Sequence, residues 1–149
     1  MRITQEADYA IRICAELAKT KDVVGAPSLS EKLCIPSRFA SKILRKLMLA
    51  GLVKSLRGVG GGFALAQKPC DISLRNIIEA IDGTIAIRHC LLSEHICSYK
   101  KNKSKCRFHL VFEELNSIIV SRLEMLTLSD MVDESIPIGE IIKGLHIMH

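Results

Sequence analysis

The chain has 149 residues, 48% of them hydrophobic, enough for one core and about one domain of ordinary size but not for two large ones. It contains no Trp and only 4% aromatic residues, which excludes an aromatic stacking platform for single-stranded nucleic acid. Its net charge of +5 becomes informative once divided along the sequence.

Residues 28–66 carry Lys32, Arg38, Lys42, Arg45, Lys46, Lys54 and Arg57 against the single acid Glu31, a local balance of +6. A second block, Lys100, Lys101, Lys103, Lys105 and Arg107, has no acid within it, and the remainder of the chain is net acidic. Segregated positive charge is the footprint of a polyanionic partner, although a charge run is also simply a well-solvated face. The opening residues MRITQEADYA lack the apolar run of a secretory signal, and no stretch approaches the roughly eighteen apolar residues of a membrane span. A cytoplasmic protein without membrane contact is expected. In that reducing compartment the six cysteines point to metal binding, redox chemistry or burial instead of a disulfide framework.

In chain order, Thr4 is placed to cap a first helix whose early acids, Glu6 and Asp8, suit the positive end of the helix dipole. Ala7, Ala10, Ile11, Cys14, Leu17 and Ala18 recur at helical spacing as its buried face, with Cys14 as a small core hydrophobe. Gly25 and Pro27 mark a loop. Ser28-Leu29-Ser30-Glu31 has the form of a capping box opening a second helix that ends near Cys34. After the turn Ile35-Pro36-Ser37, a third helix runs with Phe39, Ile43, Leu44, Leu47 and Met48 inward until Gly51 stops it. Two helices joined by a tight turn form a helix-turn-helix. Arg38, Ser41, Lys42 and Arg45 share the opposite face of the third helix, as a major-groove reader requires.

Beyond Gly51 the period changes to two. Leu52–Leu56 and Phe63–Ala66 flank Arg57-Gly58-Val59-Gly60-Gly61-Gly62, which reads as a hairpin with a glycine-rich tip. No Lys-Ser/Thr pair follows and the next element is a strand, so a phosphate-binding P-loop does not fit. A wing does: its glycines allow close approach to a DNA backbone, with Arg57 reaching the minor groove. Ser73–Ile81 forms a short amphipathic helix closed by Asp82-Gly83. From Phe108 to about Met125, a helix near 30 Å long at about 1.5 Å per residue carries an apolar arc wider than one small domain needs, and is expected to pair two copies of the chain. The segment from Asp130, with Pro137, Gly139 and Gly144, is expected to be loose or weakly docked.

Between these helices lies CLLSEHICSYKKNKSKCRFH. Cys90 and Cys97 are separated by six residues, Cys97 and Cys106 by eight, and His109 follows Cys106 with two between. No two of them form a CxxC pair. Three thiolates and an imidazole complete a zinc tetrahedron, and they equally suit an iron–sulfur cluster, which tolerates a non-thiolate ligand at one iron. A cysteine-dependent enzyme would need a thiolate, an adjacent base and a pocket; His95 and His109 accompany the cysteines on a loop without the surrounding strands and helices of such folds, and no enzymatic role is expected. The remaining alternative is a solvated basic loop with incidental cysteines.

The order of Met-Arg-Ile-Thr, Asp8-Tyr9-Ala10, Ile35-Pro36-Ser37-Arg38-Phe39, Ala50-Gly51-Leu52-Val53, the Arg57–Gly62 wing, three spaced cysteines and Thr127-Leu128-Ser129-Asp130-Met131-Val132 resembles the Rrf-type winged-helix iron–sulfur transcriptional regulators. The likeness extends over residues 1 to about 132. It implies a mainly α fold with a small β-wing, a winged helix-turn-helix followed by a long dimerisation helix. It also implies a homodimer that binds a double-stranded DNA operator and senses redox state, iron–sulfur status or nitric oxide through its cluster. On this sequence the DNA-binding set falls on Ser37, Arg38, Ser41, Lys42, Arg45, Arg57 and Gly60, and the cluster ligands on Cys90, Cys97 and Cys106. Their gaps are longer than the family's usual spacing, which leaves the cluster type open. His109 matches the IscR-like branch with its 2Fe-2S cluster. Asp8 matches the NsrR-like branch, whose 4Fe-4S cluster takes an aspartate from the other subunit, and Asp8 is the preferred fourth ligand. As plain structural groups, Asp8 would pair with Arg12 and His109 would cap the final helix. The expected division is a DNA-binding domain over 1–82, a cluster loop over 83–107, a dimerisation helix over 108–128 and a tail over 129–149. A zinc-stabilised DNA-binding repressor without cluster sensing is the alternative reading.

Overall fold

The computed structural model describes residues 3–20, 22–94, 97–98 and 102–146; His95, Lys100 and Lys101 of the cysteine loop lie outside the described residues. Among the described residues, seven α-helices and one hairpin follow in the order α1 (Gln5–Thr20), α2 (Ala26–Lys32), α3 (Ser37–Leu49), β1 (Val53–Leu56), β2 (Gly62–Leu65), α4 (Leu74–Asp82), α5 (Arg107–Met125), α6 (Leu128–Val132) and α7 (Ile138–Gly144). The fold is therefore mainly helical with a β-wing, as expected. Among the described residues no helix is long and apolar enough to cross a membrane.

Helix α1 is the central member of the core. Its first turn is capped by Thr4, whose hydroxyl accepts from the amide of Ala7 at 3.2 Å. Its inward stripe is Ala7, Ala10, Ile13, Cys14 and Leu17. Ile13 is fully buried where Ile11 was expected, because the stripe that meets α3 and α4 is rotated slightly from the face chosen by counting; Ile11 is only partly buried. Burial of Cys14 pushes its thiol up to about 12, since the thiolate would lose its hydration without compensation. Small residues at 7, 10 and 14 let neighbouring helices approach closely.

Helix α2 corrects one expectation. It begins at Ala26, two residues before the proposed capping box, with Gly25 as N-cap and no side-chain cap. Pro27 sits in the first turn, where its missing N–H costs nothing and its fixed φ already suits a helix, so Ser28 lies inside the helix. The C-terminus is a Schellman turn: the Ile35 amide donates to the Ser30 carbonyl at 2.9 Å and the Cys34 amide to that of Glu31 at 3.2 Å. Cys34 takes the left-handed position with φ of 52°, which a glycine usually fills. Gly51, with φ of 70°, does so after α3, where the amide of Leu52 returns to the carbonyl of Leu47 at 3.0 Å.

In the hairpin, Val53 is opposite Leu65 and Leu56 opposite Gly62. Val24 adds a third rung by exchanging two 2.9 Å hydrogen bonds with Phe63, which fixes the wing to the α1–α2 connection. Helix α4 opens with a capping box in which the Ser73 hydroxyl accepts from the Asn76 amide and the Asn76 side chain accepts from that of Ser73.

Helix α5 packs one side on α4 and buries no residue fully. Beyond it the chain returns to the core. The Leu74 amide donates to the carbonyl of Leu126 and the Leu128 amide to that of Ile72, both at 2.8 Å. Leu128 is fully buried with the residues of α1 and α4, a burial that contributes about 1.5–3 kcal/mol. The segment from Asp130, expected to be loose or weakly docked, holds the end of α6, a 3.0 Å ion pair between Lys19 and Glu134, and helix α7. No residue of α7 is fully buried.

Candidate nucleic-acid interface and sensor segment

The turn between α2 and α3 is held by Ser30, whose hydroxyl donates to the carbonyl of Ile35 and lies 3.3 Å from that of Ser37. This sets the angle at which α3 leaves α2. Ala40, Ile43, Leu44 and Leu47 anchor α3 in the core, and the opposite face carries Ser37, Arg38, Ser41, Lys42 and Arg45, all exposed. The Arg38 guanidinium lies 5.0 Å from the centre of the Phe39 ring, which meets the edge of Tyr9 at 6.3 Å between centroids. That stack orients Arg38 without burying it.

Two lysines of α3 reach back to α1. Lys42 Nζ is 2.6 Å from Glu6 Oε1 and Lys46 Nζ is 3.2 Å from Glu6 Oε2. Lys46 also donates to the Ile81 carbonyl at 3.0 Å. The hydrogen bond from Lys42, followed by that from Lys46, holds the Glu6 carboxyl below its usual range. Sequence reading gave Glu6 only a helix-dipole role. Its true partners are more than thirty residues away, and no local pattern announces them.

At the wing, Arg57, Gly58, Val59 and Gly60 are exposed. Gly58 and Gly60 have φ of 113° and 81°, and the Gly61 amide closes the tip on the Gly58 carbonyl at 2.9 Å. Gly62 serves a different need: a Cβ there would stand 2.5 Å from the carbonyl oxygen of Val24, so only glycine permits the third rung. The exposed faces of α3 and the wing thus present basic side chains and close-approaching backbone of the kind that meets a duplex.

The cysteine segment leaves α4 at Gly83. Asn116 of α5 accepts from the Ile87 amide at 2.9 Å and donates to the Ile85 carbonyl at 3.1 Å. Arg88 lies over the Phe112 ring at 5.2 Å. Cys90 lies in a 3-10 turn, His89–Leu91, and Cys106 is the N-cap of α5 after a second turn, Lys103–Lys105. Lys103 Nζ donates to the Leu92 carbonyl at 3.0 Å, joining the two sides of the loop. Cys90, Cys97 and Cys106 are each partly buried, and none of the six cysteines is in a disulfide.

Among the described residues, no three His, Cys, Asp or Glu side chains gather closely enough to hold a metal ion. His109 is one turn beyond Cys106. Its Nδ1 is buried without a hydrogen-bond partner, and its Nε2 is 3.9 Å from Glu113 Oε2. Asp8, by contrast, is ion-paired with Arg12 at 2.7 Å. A buried polar atom left without a partner costs about 1–3 kcal/mol, and a neutral imidazole nitrogen is a natural metal ligand.

The model of the Rrf2 family, an iron-dependent transcriptional regulator, matches residues 3–134. The chain belongs to the Rrf2 family. It is similar to the rrf2-like putative HTH-type transcriptional regulator of Rhodobacter capsulatus, 32% identical over 148 residues, with 95% of this chain and 99% of the relative aligned. The HTH-type transcriptional regulator IscR of Vibrio atlanticus is 28% identical over 137 residues, spanning 91% of this chain and 77% of that protein. Among solved structures, CymR (YrzC), the global cysteine regulator of B. subtilis, superposes with a TM-score of 0.71 at 24% identity over 89% of this chain and 96% of CymR. The Rrf2 fold is thus shared with a regulator. This Rrf2-family chain is a transcriptional regulator with a winged helix.

Proposed function

We propose that this chain works as a homodimer that reads a double-stranded operator with α3 and the wing and changes its DNA affinity with the state of an iron–sulfur cluster. The observation that carries the reading is the exposed face of α3, with Ser37, Arg38, Ser41, Lys42 and Arg45 turned outward beside a wing bearing Arg57 and Gly60. Arginines present a planar fork that pairs with the major-groove edge of guanine, while lysines and backbone amides pair with phosphates. With two-fold symmetry, the two reading heads meet half-sites about one helical turn apart. The division of labour we assign is DNA reading by 1–82, sensing by 83–107, pairing by 108–128 and a peripheral 129–149.

For the sensor, the donor set fits a cluster in kind: three partly buried thiols and an imidazole whose buried Nδ1 has no partner. Cys90, Cys97 and Cys106 would hold the group with His109 as fourth ligand, an assignment that now favours His109 over Asp8 because Asp8 already has Arg12. A bound cluster supplies a centre that reacts with oxidants and nitric oxide. The chain supplies the coupling: the loop is tied to α5 through Asn116 and to itself through Lys103. Ligation requires the loop to draw in, and it shifts DNA affinity only insofar as the cluster fits one arrangement of the dimer better than the other.

The test is the visible spectrum of anaerobically purified protein, followed by affinity for a duplex selected from a random pool with cluster-loaded, apo and Cys97→Ala protein. Coloured wild type, colourless Cys97→Ala and an affinity difference between loaded and apo forms are expected. His109→Ala should alter the spectrum and Asp8→Ala should not. Colourless protein that binds zinc and DNA equally well in all forms would replace the sensor with a structural metal site.

A further inference from the structure

The basic residues of α3 are not equivalent. Arg38 and Arg45 have no acid against them in the described contacts, whereas Lys42 and Lys46 share the carboxylate of Glu6. Lys46 is also fixed to the Ile81 carbonyl and is the more buried of the two lysines, with 34% of its side chain exposed. It joins α3 to α1 and α4 as part of the scaffold. Lys42 is different: 56% of its side chain is exposed, and on a helix it falls within the arc of Arg38, Ser41 and Arg45. A phosphate approaching that arc meets an ammonium already neutralised at 2.6 Å.

We infer that Glu6 is an internal competitor for DNA phosphate: by holding Lys42, it lowers the affinity of the reading head for DNA of any sequence. This rests on the assignment of α3 as the reader. Phosphate contacts carry affinity without sequence information, and each one adds about 0.9 to the salt slope. Neutralising one such contact per protomer therefore weakens all duplexes alike and leaves base readout by Arg38 and Arg45 untouched. An exposed ion pair contributes little to stability, so the pair can have this effect on binding without being needed for the fold.

The experiment uses full-length protein and a random-sequence 30 bp duplex over a range of NaCl concentrations. Glu6→Gln keeps the shape of the side chain and an oxygen for Lys46 while releasing Lys42. It is expected to tighten random-duplex binding several-fold and to steepen the dependence of log K on log [NaCl] by about 0.9 per protomer, with an unchanged melting temperature. In the Lys42→Gln background the same substitution should have no effect on binding. A Glu6→Gln effect that persists without Lys42 would mean general charge repulsion and would overturn the proposal. Arg45→Ala separates the two levels of inference. If Arg45→Ala weakens binding while Glu6→Gln changes nothing, the role of Glu6 fails and the reader stands. If Arg38→Ala and Arg45→Ala both bind as wild type does, the reader is elsewhere and Glu6 loses its role with it.

Discussion

The side-chain amide of Asn116 donates to the carbonyl of Ile85 at 3.1 Å while its oxygen accepts from the Ile87 amide two residues on. A single side chain of α5 thus replaces the missing strand partner for the segment that leads from α4 to the first cysteine. Replacing Asn116 by Leu leaves both backbone groups unpaired in a partly buried site. A loss of about 1–3 kcal/mol is expected in denaturant unfolding, together with faster amide exchange at Ile87. Wild-type exchange at Ile87 would show that the clamp contributes nothing.

The exposed stripe of α5 gives a second prediction. Phe108, Val111, Leu115 and Ile118 are 67%, 59%, 45% and 46% exposed and fall on one face at spacings of three and four. Wild-type protein should sediment at twice 16.5 kDa at micromolar concentration. Val111→Glu with Ile118→Glu should sediment as a monomer and bind duplex DNA far more weakly. A wild-type monomer under these conditions would remove α5 as the pairing helix.

Gly62→Ala probes the wing. The added methyl group would meet the Val24 carbonyl oxygen at 2.5 Å and the Gly25 amide nitrogen at 2.9 Å, both backbone atoms that cannot rotate away. Breaking the third rung should destabilise the chain by about 1–3 kcal/mol and weaken DNA binding, whereas Gly60→Ala strains only the exposed tip. Equal melting temperatures for Gly62→Ala and wild type would show that the Val24 rung is dispensable.

Cys14 gives a pH dependence with a definite sign. Its thiol is pushed up to about 12 by burial, from an ordinary value of 9.0. Above 9.0 the unfolded chain releases this proton while the folded chain keeps it, so the unfolded state binds fewer protons and stability falls as pH rises, by at most about 1.4 kcal/mol per unit. Below 9.0 the group contributes no slope. Cys14→Ala should remove this part of the alkaline slope measured by urea unfolding between pH 8 and about 10, and native Cys14 should resist iodoacetamide. Rapid native labelling of Cys14 would contradict its burial.

The elements that carry local chemistry were legible: the hydroxyl cap at Thr4, the glycine stop at Gly51, the wing glycines and the alternation around them all act within a few residues. What sequence could not resolve were choices between two locally valid patterns and pairings across the fold. Ser28 and Glu31 satisfy a capping-box pattern, yet Pro27 lets the helix start two residues earlier. Ile11 and Ile13 both fit a helical stripe, and only the direction of α3 and α4 selects Ile13. The Glu6–Lys42 pair and the Asn116 clamp join groups far apart in the sequence, and no periodicity encodes them. For the cysteine segment, spacing marked Cys90, Cys97, Cys106 and His109 as candidates, while the orphaned Nδ1 of His109 became visible only with the packing of α5.

The return of the chain to the core at Leu128 also sets an order of events during synthesis. The winged helix is nearly complete in sequence by Asp82, but its core lacks Leu128 and the two hydrogen bonds that flank it until almost fifty further residues have left the ribosome. At about 5–20 residues per second this takes several seconds. Within that interval Cys90, Cys97 and Cys106 emerge next to a winged helix that has not yet closed. The nascent chain thus exposes these thiols before the winged-helix core is finished, and a message truncated after α5 would yield a winged helix without its final core residue.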